Sequence, residues 1–188
     1  MADPALPPLA TLPPLLFAAA VSTYGLYLCR ANITRLQTYE SASKKAAEWS
    51  ETAAQRLRKT RSTQASGTLA LTLSFLPSTT LPFLPSYQTP SFLGITGLAL
   101  GTALYVARAH MSGFWNERTQ TKIPLVHDFN DAVRGSEAVV GVLEVLAFSW
   151  GVAGCVWALG WGGVGLGVWG VVVVGRGAWV VGQAGGGA

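Results

Sequence analysis

The amino-acid sequence predicts an all-α polytopic membrane protein, a helical bundle of four to five transmembrane helices with a cytoplasmic helical segment. Half of the 188 residues are hydrophobic and only 12% are charged, about half the charged share of an ordinary soluble domain. The charges are also segregated. Residues 62–107 carry none, residues 138–188 carry Glu144 and Arg176 alone, and nearly all the rest fall in blocks 30–61 and 108–137. Uncharged stretches long enough to supply about 20 apolar residues per span are the mark of transmembrane helices. No period-two alternation is present, so helices rather than a barrel are expected to satisfy the backbone in lipid.

The first span is expected over 9–29, "LATLPPLLFAAAVSTYGLYLC". Pro13 and Pro14 fall near its start, where a missing N–H costs little. "AAA" at 18–20 resembles a signal-peptide cleavage site, but no cationic residue precedes it, so a retained span is expected. The block that follows contains a cytoplasmic helical segment, 35–61, without proline or glycine and rich in helix formers. Leu36, Tyr39, Ser43, Ala46, Ser50, Ala53 and Leu57 recur on one mostly small face, opposite Lys44, Lys45, Glu48, Glu51 and Arg58. The first span is expected to continue as a helix into the cytoplasm and to return through this segment to the second span. The segment is either a connector resting on lipid headgroups or a docking helix for a partner, with Tyr39 and Trp49 as anchors.

The second span covers 66–86 and the third 91–109, joined through "YQTP" as a helical hairpin. Pro77, Pro82 and Pro85 are expected to kink or end the second helix. Gly97 and Gly101 form a GxxxG pair, which lets another helix approach closely.

A polar cytoplasmic loop, 108–137, holds both histidines. Asp128 is a candidate N-cap for the next helix, with Asp131 favoured by the helix dipole. A metal site built from His110, Glu117, His127 and Asp131 has no diagnostic ligand spacing, and no metal is expected. No Ser/His/Asp elbow, Walker loop or HExxH is present, so no catalytic residue and no cofactor is assigned.

Arg108-Ala109-His110 followed by Asn116-Glu117 resembles a rearranged form of the Arg-Ala-His-x-Asn-x-x-Glu signature of the MAPEG family, four-helix membrane enzymes handling glutathione and lipids. The resemblance covers about ten residues, and Asn116 stands six positions after His110 where the signature has two. At most it implies a small membrane enzyme or carrier for a lipid-like substrate. Arg108, His110, Asn116, Glu117 and His127 would then form a polar site at the cytoplasmic rim.

From 138 to 184 the chain is too long for one span and breaks naturally at "GWGG", 160–163, giving spans over 138–159 and 164–183. The alternative is four spans with a glycine-rich tail, which would leave the valines and tryptophans of 168–181 in water. Glu144 and Arg176 are equidistant from Gly160, sixteen residues to either side. In a hairpin they fall at similar depth and can form a structural intramembrane ion pair. Arg108 is the other candidate partner, and a neutral acid facing a cavity is the third possibility.

Block 30–61 carries eight Lys or Arg against three Glu, which sets its side as cytoplasmic. The sequon Asn32-Ile33-Thr34 then faces the cytoplasm and is expected to carry no glycan. Cys29 and Cys155 are expected at different depths, unable to bridge. The flanking cations suit lipid headgroups, not nucleic acid. The expected role is that of a non-catalytic integral membrane subunit or scaffold acting through helix–helix contacts, including Gly97/Gly101, Gly163/Gly167 and Ala147/Gly151. Its partners are membrane lipids and either a membrane protein or a second copy. The expected location is the endoplasmic reticulum or another endomembrane in preference to the mitochondrial inner membrane.

Overall fold

A computed structural model describes residues 8–49, 51–115 and 127–185, which are helical apart from short turns and contain no strand. The helices are α1 (Pro8–Trp49), α2 (Glu51–Thr80), α3 (Pro90–Ser112), α4 (His127–Ala158) and α5 (Gly162–Gly185). Two 3-10 turns, Leu81–Phe83 and Pro85–Tyr87, link α2 to α3.

Helix α1 continues beyond the first span, as expected. It runs for 42 residues, about 63 Å at 1.5 Å per residue, because no proline or glycine interrupts it between Leu26 and Trp49. Helix α2 passes through Pro77 and yields only at Leu81, where the second and third prolines force 3-10 geometry. Gln88 closes this bend: its Nε2 donates to the Leu81 carbonyl at 2.9 Å, and its Oε1 accepts from Thr11 Oγ1 of α1 at 3.0 Å. Thr89 then caps α3, accepting from Phe92 N, with Pro90 at the first helical position. Helix α4 begins at His127, so Asp128 lies inside the first turn instead of capping it.

Helix α4 is the hub, packed by α1, α3 and α5 and touched by α2. Its register with α1 is regular and antiparallel. A Cβ on Gly135 would meet Asn32, one on Gly25 would meet Val142, and Trp157 Nε1 donates to the Ala10 carbonyl. Helices α1 and α2 are likewise antiparallel, with Ser22 Oγ donating to Ser74 Oγ at 2.9 Å. Trp150 Nε1 of α4 donates to the same Ser74 oxygen at 2.8 Å, so one hydroxyl ties three helices together. Around these ties the core is apolar: Leu15, Leu71, Leu93, Leu104, Leu143 and Leu146 are fully buried.

The outside of the bundle is apolar as well. Leu16, Tyr24 and Tyr27 of α1, Leu69 and Leu76 of α2, Ile95 and Val106 of α3, and Val164 and Val171 of α5 are all exposed. Large apolar side chains on the outside as well as in the core depart from the pattern of a water-soluble domain. Among the described residues three helical segments are long and apolar enough to cross a membrane: Ala10–Gln37, Pro90–Ser112 and Val133–Ala158. Val164–Gly177 is a shorter apolar helix. The second half of α2 is richer in hydroxyls, and these are satisfied locally. Thr68, Thr72 and Thr80 each donate to the carbonyl four residues earlier.

Candidate functional site

Two chain features bring three charged side chains to one place. The first is the contact between α3 and α4. A Cβ at Gly97 would come within 2.7 Å of Gly154 Cα, one at Gly101 within 3.0 Å of Gly151 N, and one at Gly94 within 2.8 Å of Ala158 Cβ. The glycines thus bring the two backbones into direct contact, as small residues do between membrane helices. The pairs 94/158, 97/154 and 101/151 step antiparallel along one seam, and the same step carries α3 to Arg108 opposite Glu144. The second feature is the α4–α5 turn, where Gly160 takes φ +66°. This left-handed conformation suits glycine, which has no Cβ to clash. From there Gly165 packs on Val156, and Trp169 Nε1 donates to Ser149 Oγ at 3.2 Å. Continuing this register brings Arg176 to Glu144.

Glu144 is 7% exposed. Arg108 Nε donates to its Oε2 at 3.0 Å, with the Arg108 Nη2 2.9 Å from the same oxygen. Arg176 Nη2 donates to Oε1. The Arg176 guanidinium also lies over the Phe148 ring, 5.1 Å from its centroid, within cation–π range. The sequence reading set Arg176 and Arg108 as alternative partners; the structure gives each carboxylate oxygen its own arginine. Three helices are therefore joined through one acid, and the formal charges of the cluster sum to +1. Each arginine side chain keeps about 30% exposure while the acid is covered. Its guanidinium can therefore reach the outside of the bundle while remaining bonded to the acid. Nothing in this arrangement supplies a nucleophile or a proton acceptor aimed at an open space.

Of the other proposed rim residues, the structure describes the side chain of His110. His110 is exposed, with its Nε2 3.3 Å from Ser62 Oγ of α2. Asn116 and Glu117 lie outside the described residues. His127 opens α4, and its side chain is outside the description. Among the described residues no three His, Cys, Asp or Glu side chains are grouped to hold a metal. Cys29 is buried and Cys155 exposed, and both are free thiols.

A second polar cluster was not anticipated from the sequence. Gln64 of α2 and Asn32 of α1 are buried, and both meet the start of α4. Gln64 Nε2 donates to Ser136 Oγ at 2.8 Å. Asn32 occupies the notch left by Gly135, where a Cβ would fall 2.0 Å from Asn32 Oδ1. Nearby, Trp115 Nε1 donates to Thr63 Oγ1 at 2.8 Å. The only available signal was an unusual one: two amides and a glycine at the ends of apolar segments, which reads as solvated connector until the helices are assembled.

Comparison of the chain with protein-family models, with curated proteins and with solved structures finds no match.

Proposed function

We propose that this chain is a non-catalytic, multi-pass integral membrane subunit that works by packing its helices against another membrane protein or a second copy of itself. In this reading α1, the apolar half of α2, α3, α4 and α5 form five spans. The 38–60 hairpin and the residues after α5 then lie in the cytoplasm, and the residues before α1 lie on the other side. The apolar exterior supports the membrane setting, and the excess of cations in block 30–61 supports the orientation. An endomembrane such as the endoplasmic reticulum fits the composition.

One observation carries the role as a subunit. The glycines Gly94, Gly97 and Gly101 of α3 are consumed against α4, but beyond Gly165 four glycines of α5 are not. Among the described residues nothing lies within 4 Å of a Cβ built on Gly167, Gly170, Gly175 or Gly177. Gly167 and Gly175 share their face with the exposed Val164, Val171 and Val174. Each glycine in a helix costs about 1 kcal/mol relative to alanine, and lipid gives nothing back for it. A helix from a partner does, because bare backbone permits close approach. The short GxxxG at Gly97 and Gly101, expected to serve an external partner, is instead occupied by α4.

The test is the assembly state in mild detergent. Wild-type protein should run as a complex, and Gly167→Leu with Gly175→Leu should release a folded single chain. A wild-type protein that is monomeric in membranes and in mild detergent overturns the proposal. The enzyme-like alternative at the rim draws less support, since Arg108, its main cation, is bonded to Glu144.

A further inference from the structure

Between α1 and α2, just beyond the apolar part of each, lies a cavity of about 320 Å³ lined by Ile33, Leu36, Gln37, Thr60, Arg61, Gln64 and Ala65. Its size falls at the lower end of the range for small-ligand sites. Its lining is divided. Ile33, Leu36 and Ala65 form an apolar wall, Arg61 brings a positive charge, and Gln64 brings an amide. Gln64 is 5% exposed, and its Oε1 has no hydrogen-bond partner among the described residues while its Nε2 is committed to Ser136. A buried acceptor left unsatisfied is costly, and it matches a donor such as a hydroxyl group.

The surroundings restrict the ligand further. On the same turns of α1, α2 and α4 stand Arg30, Arg35, Arg58, Lys59, Arg61 and Arg134, against Asp131 and Glu137. This excess favours an anion. From the cavity mouth, Ala65, Leu69 and Leu73 follow at four-residue spacing along α2, and all three are exposed. That stripe is a track for an alkyl chain leading away from the charged end.

We infer that the cavity between α1 and α2 binds the headgroup of an anionic phospholipid bearing a free hydroxyl. Arg61 contacts the phosphate, Gln64 Oε1 accepts from the hydroxyl, and an acyl chain lies along Leu69 and Leu73. The inference rests on the membrane reading above for the depth of the cavity, which falls at the headgroup level of the cytoplasmic leaflet. It does not depend on the subunit role.

The test uses the full chain, purified in a mild non-ionic detergent and stripped of lipid, with binding followed by native mass spectrometry. The probes are dihexanoyl phosphatidylglycerol, dihexanoyl phosphatidylcholine and glycerol 3-phosphate. Phosphatidylglycerol should bind once and at least tenfold more tightly than phosphatidylcholine. Arg61→Gln and Gln64→Leu should each weaken it at least tenfold. Ala65→Phe, at an exposed rim position, should block it by filling the cavity without disturbing helix packing, so the test survives a misfolded Gln64 variant. Equal binding of the two lipids, or unchanged binding in Arg61→Gln and Ala65→Phe, overturns the inference. Glycerol 3-phosphate binding as tightly as the lipid overturns the lipid assignment in favour of a soluble phosphate ester. Failure of the membrane reading has a separate signature: the untreated protein would be released from membranes by alkaline carbonate.

Discussion

Replacing Glu144 with glutamine is the sharpest perturbation of the three-helix charge cluster. The substitution keeps shape and removes the charge that both arginines share. Breaking a buried pair by removing one partner costs about 3–5 kcal/mol. Here the acid is 7% exposed, but each arginine side chain keeps about 30% exposure and can turn outward. Two hydrogen bonds to charged groups are lost or weakened, each worth about 1.5–3 kcal/mol. Discounted for the partial solvation, the expected loss is about 2–4 kcal/mol, and for a chain of this length about 5–15 °C in Tm. Thermal unfolding in detergent measures it. The pattern is more telling than the size. Arg108→Gln or Arg176→Gln leaves a neutral one-to-one pair, so each single arginine variant should cost about 1 kcal/mol, well below Glu144→Gln. Exchanging the charges in Glu144→Arg with Arg176→Glu should recover part of the loss. A silent Glu144→Gln, or arginine variants as damaging as it is, would refute the shared-acid account.

Three further outcomes are expected. Gly97→Ala drives a Cβ to 2.7 Å from Gly154 Cα and should destabilise by about 1–3 kcal/mol as the backbones are forced apart, whereas Gly151→Ala meets nothing within 4 Å and should be neutral or slightly stabilising in the same melt. Ser74→Ala strands the Ser22 hydroxyl and the Trp150 N–H together and should cost about 2–4 kcal/mol, with a loss of near-ultraviolet tryptophan signal that Ser74→Thr partly restores. Asn32 is 1% exposed and filled into Gly135, so the sequon should carry no glycan, and a mobility shift on glycosidase treatment would contradict the packing of α1 on α4.

The helical class was legible because charge and hydropathy separate cleanly along the chain, and the turn at Gly160 was legible because glycine crowds into an otherwise continuous apolar run. The approach of Glu144 to Arg176 follows from counting outward from that turn, since a short hairpin leaves little freedom of register. Arg108 could not be reached this way. The connection between α3 and α4 is long, so no count across it sets register. The seam of Gly94, Gly97 and Gly101 against Ala147, Gly151, Gly154 and Ala158 does, and aligning those two stripes antiparallel would have placed Arg108 opposite Glu144. The continuation of α1 beyond the first span was legible for a different reason. A change from apolar to charged residues marks where lipid would end, but a helix ends only where the backbone is interrupted, and nothing interrupts α1 before Trp49. Pro77 shows the converse. A single proline is tolerated within α2, and the chain bends only when Pro82 and Pro85 follow. The amides of Asn32 and Gln64 look like connector residues in sequence because their burial is created by α4, which arrives about a hundred residues after Asn32.

The five-span reading is tested most directly by locating both chain ends relative to the membrane. Small epitope tags at the two ends, probed in sealed vesicles with an impermeant protease before and after detergent, give the answer in one experiment. The account predicts that the ends lie on opposite sides, with the tag after α5 on the same side as the 38–60 hairpin. Both tags on one side would contradict it.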